Sequence, residues 1–137
     1  MDALQNGLRD GPTEAIEVCK IRAPGLASEL SRAGLVMGRS SHRLRNPANA
    51  PPAWVRPVLQ SYLDGNTPPR PIEIPLDDQR QGYIEPILMQ APCLMCHGST
   101  LAPEIAERIA DLYPEDKAIG FELGDLRGVF WVSYGPR

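Results

Sequence analysis

Apolar residues recur at every third or fourth position near the start of the chain, which is the spacing of one face of an α-helix. The pattern begins after Thr13, whose hydroxyl group we expect to cap the helix, and it places Cys19 on the inward face. Pro24 removes a backbone donor, so we expect a kink there and a second helical piece to about Ala33. The apolar positions are Ile16, Cys19, Ala23, Leu26 and Leu30.

The same spacing predicts two further helices. One runs from about Ala53 to Leu63 and stops at Asp64-Gly65-Asn66, and the other runs from Pro103 to Tyr113 and stops at Pro114. The inward positions of these helices are Trp54, Val58, Tyr62, Ile105, Ile109 and Leu112.

Short apolar or alternating runs predict β-strands between and after these helices. We expect a C-terminal hairpin, in which Ala118 to Leu123 pairs with Val129 to Tyr134 across residues 124–128. The earlier strands are Leu35 to Arg39, Ile72 to Ile74 at a sheet edge, and Gly82 to Met89. This order of helices and antiparallel strands predicts the α+β class, with residues 1–12 as a tail and 13–137 as a single domain.

Composition narrows the function classes. The chain has 137 residues, a formal net charge of −3 and 15 prolines, which fits one small domain with many loops. Basic residues are scattered, so we expect no nucleic-acid partner. No run of about 18 apolar residues is present, so we expect no transmembrane segment.

Cys93-Leu94-Met95-Cys96-His97 has the pattern C-x-x-C-H, which is typical of haem c attachment. Two thiols three residues apart can each add to a vinyl group of one porphyrin. His97 lies about one helical turn beyond Cys93, so its imidazole can reach the iron of the same group. The pattern predicts one covalent haem c per chain, held by Cys93, Cys96 and His97.

Two other kinds of site use the same residue types. Zinc requires four N or S ligands, and Cys19, Cys93, Cys96 and His42 form a possible set, although no second paired motif is present. A thiol–disulfide site also uses C-x-x-C, but normally within a βαβ unit, which the pattern here does not predict. We rank haem first, zinc second and the redox disulfide third.

The haem hypothesis has a consequence for localisation. Bacteria attach haem to C-x-x-C-H outside the cytoplasm, so we expect a periplasmic or otherwise extracytoplasmic protein. Met1 is followed by Asp2 and polar residues rather than by an apolar signal region. We therefore interpret the chain as a mature fragment whose export signal has been removed.

Four motifs in order resemble a bacterial family of haem c domains of unknown function with a PAS-like fold. The resemblance covers the chain from about residue 13 to its end. The family occurs as secreted single-domain proteins and as extracytoplasmic input modules of signalling proteins. The motifs are Ala15 to Cys19 with Ala23-Pro24, Arg43 to Asn49 followed by Trp54, Cys93 to Gly98, and Tyr113 to Gly120 leading into Gly128 to Ser133.

This resemblance implies an antiparallel sheet flanked by helices and an unusual iron ligation. His97 would be one axial ligand and the thiolate of Cys19 the other. A thiolate stabilises ferric iron and lowers the reduction potential, which suits a redox or diatomic-gas sensor with a signalling partner. On reduction, we expect the bond to Cys19 to weaken and the helix that carries it to shift.

The alternative is an electron-transfer cytochrome, in which Met37, Met89 or His42 would be the second ligand and an electron-transfer protein the partner. We expect no enzymatic activity, because nothing between Thr13 and Ala33 supplies an obvious acid–base group for peroxidase-like chemistry. Three arginines can meet the haem propionates, although solvent exposure is the more ordinary role for such residues. They are Arg43, Arg45 and Arg127.

Overall fold

The computed structural model describes residues 9–16, 25 and 34–135. Four antiparallel strands form one sheet in the order β1-β4-β3-β2. The strands are β1 (Val36–Ser40), β2 (Ile72–Pro75), β3 (Gln81–Leu88) and β4 (Leu126–Tyr134). After residue 34, the α-helices are α1 (Arg56–Leu63), the single turn α2 (Leu94–His97) and α3 (Pro103–Leu112).

Most predicted elements are confirmed within a few residues of their expected bounds. The helix expected from Ala53 begins at Arg56, and the predicted edge strand is β2, which among the described strands pairs only with β3. Pro57 lies in the first turn of α1, where the missing backbone donor costs no hydrogen bond. A mixed helix and sheet fold was therefore predictable from local pattern.

The cap predicted for the first helix is wrong. Residues 12–16 are helical, and the backbone N–H of Ala15 donates to the carbonyl of Gly11 at 3.1 Å. Pro12 takes the first helical position, so Thr13 lies inside the helix and its hydroxyl donates to the Glu14 carboxylate at 2.7 Å. The rest of that prediction, including Cys19 on the inward face and the kink at Pro24, lies outside the described residues.

The predicted C-terminal hairpin is also wrong. Residues 118–123 do not pair with β4, whose neighbours are β1 and β3. Instead, Phe121 forms an isolated parallel bridge with Gly98, directly after the C-x-x-C-H sequence. The hydrogen bonds of this segment go to the candidate site rather than to the sheet.

The main core lies between α1 and the sheet. Its buried side chains are Val55, Leu59, Tyr62, Ile84 and Val129. Within residues 9–16, 25 and 34–135, no helix is long and apolar enough to cross a membrane.

Two glycines on neighbouring parts of the sheet make room for a pair of tryptophans. Trp54 and Trp131 meet edge to face, with ring centroids 5.8 Å apart. A methyl group at Gly38 would overlap the Trp131 ring, and one at Gly82 would lie 2.7 Å from the Trp54 ring. The sheet can therefore accommodate both half-buried indoles only because Gly38 and Gly82 have no side chain.

We predict that Gly38→Ala destabilises the protein by about 1–3 kcal/mol, because the added methyl group forces Trp131 from its position. The measurement is the free energy of unfolding in urea. The control is Gly25→Ala, since Gly25 is helical and has open space around it, so alanine should leave stability unchanged or raise it slightly. Equal losses in both variants would contradict this account of the tryptophan pair.

Candidate functional site

The C-x-x-C-H sequence forms a compact turn, called here the CxxCH turn, residues Cys93 to His97. A 3₁₀ turn over Ala91–Cys93 leads directly into α2. Cys93 and Cys96 are present as thiols and are half-buried. The Gly98 N–H closes the turn by donating to the Leu94 carbonyl at 2.9 Å. A side chain at Gly98 would lie 2.6 Å from that carbonyl oxygen, so the position requires glycine.

His97 is held by a hydrogen bond between its Nδ1 atom and the carbonyl oxygen of Ala118, 2.7 Å away. A carbonyl can only accept, so Nδ1 carries the proton and Nε2 keeps a lone pair for a metal. Burial lowers the pKa of His97 to about 3, with smaller contributions from the nearby charges of Arg127 and Arg45. The imidazole is therefore neutral at physiological pH, as a ligand to iron must be.

Arg45 connects the CxxCH turn to the segment 116–121. Its guanidinium group binds both carboxylate oxygens of Asp116, at 3.2 and 3.1 Å, and donates to the carbonyl of Cys96 at 2.6 Å. It also donates to the carbonyl of Ala118 at 3.2 Å, the same oxygen that accepts from His97. Arg45 thus links the CxxCH turn, the Asp116 carboxylate and the Ala118 carbonyl, which also accepts from His97, in one hydrogen-bond network.

The backbone of the segment 116–121 runs along the CxxCH turn. The Phe121 N–H donates to the His97 carbonyl at 2.9 Å, and the Gly120 N–H donates to the Gly98 carbonyl at 3.0 Å. At its start, the Ala118 N–H donates to the Asp116 carboxylate at 2.8 Å. These bonds are the reason that residues 118–123 do not form the predicted hairpin.

The two cysteines face different apolar clusters. Cys93 packs against buried Met89, Ala118 and Phe121. Cys96 packs against a second cluster that contains Ile16 from the helical residues 12–16. The CxxCH turn therefore lies between the sheet side of the molecule and the beginning of the N-terminal helix.

The described residues considered as alternative ligands lie in different parts of the fold. Met89 is buried in the cluster that contacts Cys93, while His42 is exposed and lies edge-on to Phe121 with centroids 5.8 Å apart. Met37 lies on β1, opposite Val132 of β4. Cys19 is outside the described residues.

The rival site types find less support. In the described part of the chain, no three histidine, cysteine, aspartate or glutamate side chains are grouped to hold a metal ion, so His42, Cys93 and Cys96 do not form the core of a zinc site. The sheet is entirely antiparallel, whereas a thiol–disulfide site would be expected in a βαβ unit.

Comparisons with known proteins agree with this geometry. The sequence model of the Tll0287-like family matches residues 2–134. The chain belongs to the Tll0287-like family. The crystal structure of the cyanobacterial heme-protein Tll0287 is similar, with 31% sequence identity and a TM-score of 0.66 over 86% of this chain and 71% of that chain. No curated protein matches the chain.

Membership of the Tll0287-like family confirms the sequence-based resemblance at the level of a haem-protein family. Sequence reasoning missed the roles of Asp116, Ala118 and Phe121 beside the CxxCH turn. It placed Arg45 among possible propionate ligands, whereas Arg45 is already bound to Asp116. The available signal was that Arg45 and Asp116 both lie within the motifs that carry the resemblance.

Several features of this Tll0287-like chain fit a covalent porphyrin. The two thiols lie on one turn, and the adjacent neutral imidazole keeps Nε2 available. Large apolar side chains near the turn are exposed to solvent, as expected for a surface that a flat apolar group covers. They are Met95, Ile119 and Leu123, at 45%, 46% and 67% exposure.

We predict that Arg45→Ala destabilises the protein by about 3 kcal/mol, because it leaves the Asp116 carboxylate unpaired with only 8% of its side chain exposed. Chemical denaturation of wild type and variant, in the same haem state, measures the change. The matched control is Arg80→Ala, which breaks an exposed ion pair with Asp77 and should cost far less. Similar losses for the two variants would refute the importance of the Arg45 network.

Proposed function

We propose that this chain is an extracytoplasmic haem protein that carries one covalent haem c and senses redox state or a diatomic gas. Cys93 and Cys96 would form the thioether links, and His97 and Cys19 would be the axial ligands. The observation that carries the proposal is the hydrogen bond from His97 to Ala118, which leaves Nε2 available beside two thiols on one turn.

The bound haem would supply an iron that changes between ferric and ferrous and can accept a diatomic gas. The chain supplies the surroundings. Ala118 orients the imidazole through Nδ1, and a hydrogen bond to this nitrogen tunes the basicity of a histidine that binds metal through the other nitrogen. Arg45 donates to the same carbonyl, which makes that oxygen a weaker acceptor for His97 and so tempers the donor strength of the imidazole.

The assignment of Cys19 is supported by the packing of residue 16. Ile16 is buried in the cluster that Cys96 contacts. Cys19 follows only three residues later in the sequence, and three residues of chain span at most about 11 Å. A thiolate from this position would lower the reduction potential and keep the resting iron ferric. Release of that sulfur on reduction or gas binding is the signal that we propose.

The fold is compatible with a sensory module. In a four-stranded antiparallel sheet of order β1-β4-β3-β2, the first strand pairs with the last. We interpret this order as a PAS-like sheet. The extracytoplasmic location follows from the chemistry of haem attachment rather than from any feature of the sheet.

An electron-transfer cytochrome is the second candidate function. Met89 favours it, because this methionine is 2% exposed and lies in the same cluster as Cys93. A methionine ligand would raise the reduction potential relative to a thiolate. His42 is a weaker candidate, since it is exposed on the surface.

We predict that the porphyrin stays attached to the wild-type chain after acidic organic extraction, when the protein is produced with a haem c maturation system. Replacing both attachment thiols, with Cys93→Ser and Cys96→Ser together, should release all of it, because no thioether remains. A pyridine haemochrome assay before and after extraction is the measurement. Cys19→Ser is the control and should retain the link. A colourless wild-type protein would refute the proposed function.

We also predict that Cys19→Ser changes the ferric optical spectrum and raises the reduction potential, because the charge-donating sulfur is lost. Potentiometric titration with optical detection measures both effects. The reduced wild-type protein should exchange a ligand under carbon monoxide or nitric oxide.

Met89→Leu and Met37→Leu are the controls and should leave the ferric spectrum unchanged. A spectrum altered in Met89→Leu and unaltered in Cys19→Ser would favour the electron carrier. Absence of ligand exchange under either gas would remove the gas-sensing form of the proposal.

A further inference from the structure

Arg127 is a buried cation with an unmet hydrogen-bonding group. It lies near the beginning of β4 and is 7% exposed. Its Nη1 atom donates to the carbonyl of Arg43 at 3.3 Å. Its Nε–H is buried without a hydrogen-bond partner, the one such side-chain atom found in the described ranges. Burial of an unsatisfied charged group is costly, so the position calls for an acceptor.

The charges around Arg127 are mostly positive. Arg39 on β1, together with Arg43 and Arg45 in the loop after it, face Arg127, and Asp116 is the acidic group that acts on it. Arg45 already binds both oxygens of Asp116. Burial, with the repulsion of Arg39 and Arg45, lowers the pKa of Arg127 to about 9. Among the described residues, no carboxylate accepts a hydrogen bond from Arg127, because Asp116 is bound by Arg45.

Arg127 lies next to the candidate ligand. Its guanidinium carbon is 5.4 Å from the centroid of the Phe121 ring, and that of Arg43 is 3.7 Å from the same centroid. The imidazole of His97 is edge-on to this ring, with centroids 6.3 Å apart. His97 and two cations thus lie around one buried phenyl ring.

We propose that Arg127, flanked by Arg43, binds a carboxylate, and that this carboxylate is a propionate of the porphyrin attached to the CxxCH turn. The assignment rests on the proposed function. A guanidinium group offers a planar pair of donors that matches a carboxylate, and its Nε–H is one of them. Arg45 does not bind the propionate, because its guanidinium group already donates to both carboxylate oxygens of Asp116.

The test uses haem-loaded protein and resonance Raman spectroscopy, in which the propionate bending band reports hydrogen bonding to the carboxylate. Arg127→Gln removes the charge and the paired N–H donors, so the propionate band should shift. The reduction potential should fall, because the negative charge of an uncompensated propionate favours ferric iron. Arg127→Lys keeps the charge without the Nε donor and should show the same band shift with a smaller fall in potential.

Arg56→Gln is the matched control. Arg56 is exposed at the start of α1, so the same loss of charge there should leave the propionate band at its wild-type position. If the propionate band stays at its wild-type position in both Arg127 variants, the assignment is overturned. Arg127 would then bind a free carboxylic acid or no carboxylate. If Arg127→Gln does not fold, Arg127→Lys decides alone.

The pyridine haemochrome assay separates the two levels of inference. Wild-type protein without covalent haem overturns the proposed function and the Arg127 assignment with it. Covalent haem in wild type and variants, with an unshifted propionate band, overturns the Arg127 assignment alone.

Discussion

The carbonyl oxygen of Ala118 accepts hydrogen bonds from His97 on one side and from Arg45 on the other. This oxygen sets the tautomer and direction of the imidazole, and it joins the CxxCH turn to a segment that is remote in sequence. Asp116 holds the same segment through the Ala118 N–H. The candidate site therefore depends on where the segment 116–121 lies, rather than on the CxxCH turn alone.

The electrostatic arrangement separates two kinds of arginine that look alike in the sequence. Arg45 has a dedicated carboxylate and several carbonyl acceptors, so it is a structural cation of the site. Arg127 is more deeply buried and retains an unsatisfied donor. Burial lowers the pKa of His97 most, and the charges of Arg127 and Arg45 lower it further, so the cluster that would receive an anion also favours the neutral imidazole that binds metal.

The packing places the candidate site between two parts of the molecule. Cys93 belongs with the buried residues next to the sheet, and Cys96 belongs with Ile16 and the inner face of α3. A change in ligation at this turn would reach both clusters. This position suits the proposed sensor better than an electron carrier. In an electron carrier, neither the sheet nor the N-terminal helix needs to respond to a change in ligation.

Local pattern by itself determined the α1 and α3 helices, the strands of the sheet and the CxxCH motif, because periodicity and turn residues act over a few positions. Tertiary structure decided how residues 118–123 pair, since extended backbone can satisfy its donors on any neighbouring chain. It also decided the partners of Arg45 and Arg127. Arg45 and Asp116 are 71 positions apart in the sequence, so no local spacing predicts their ion pair. Their burial and their charge balance arise only when the chain has folded.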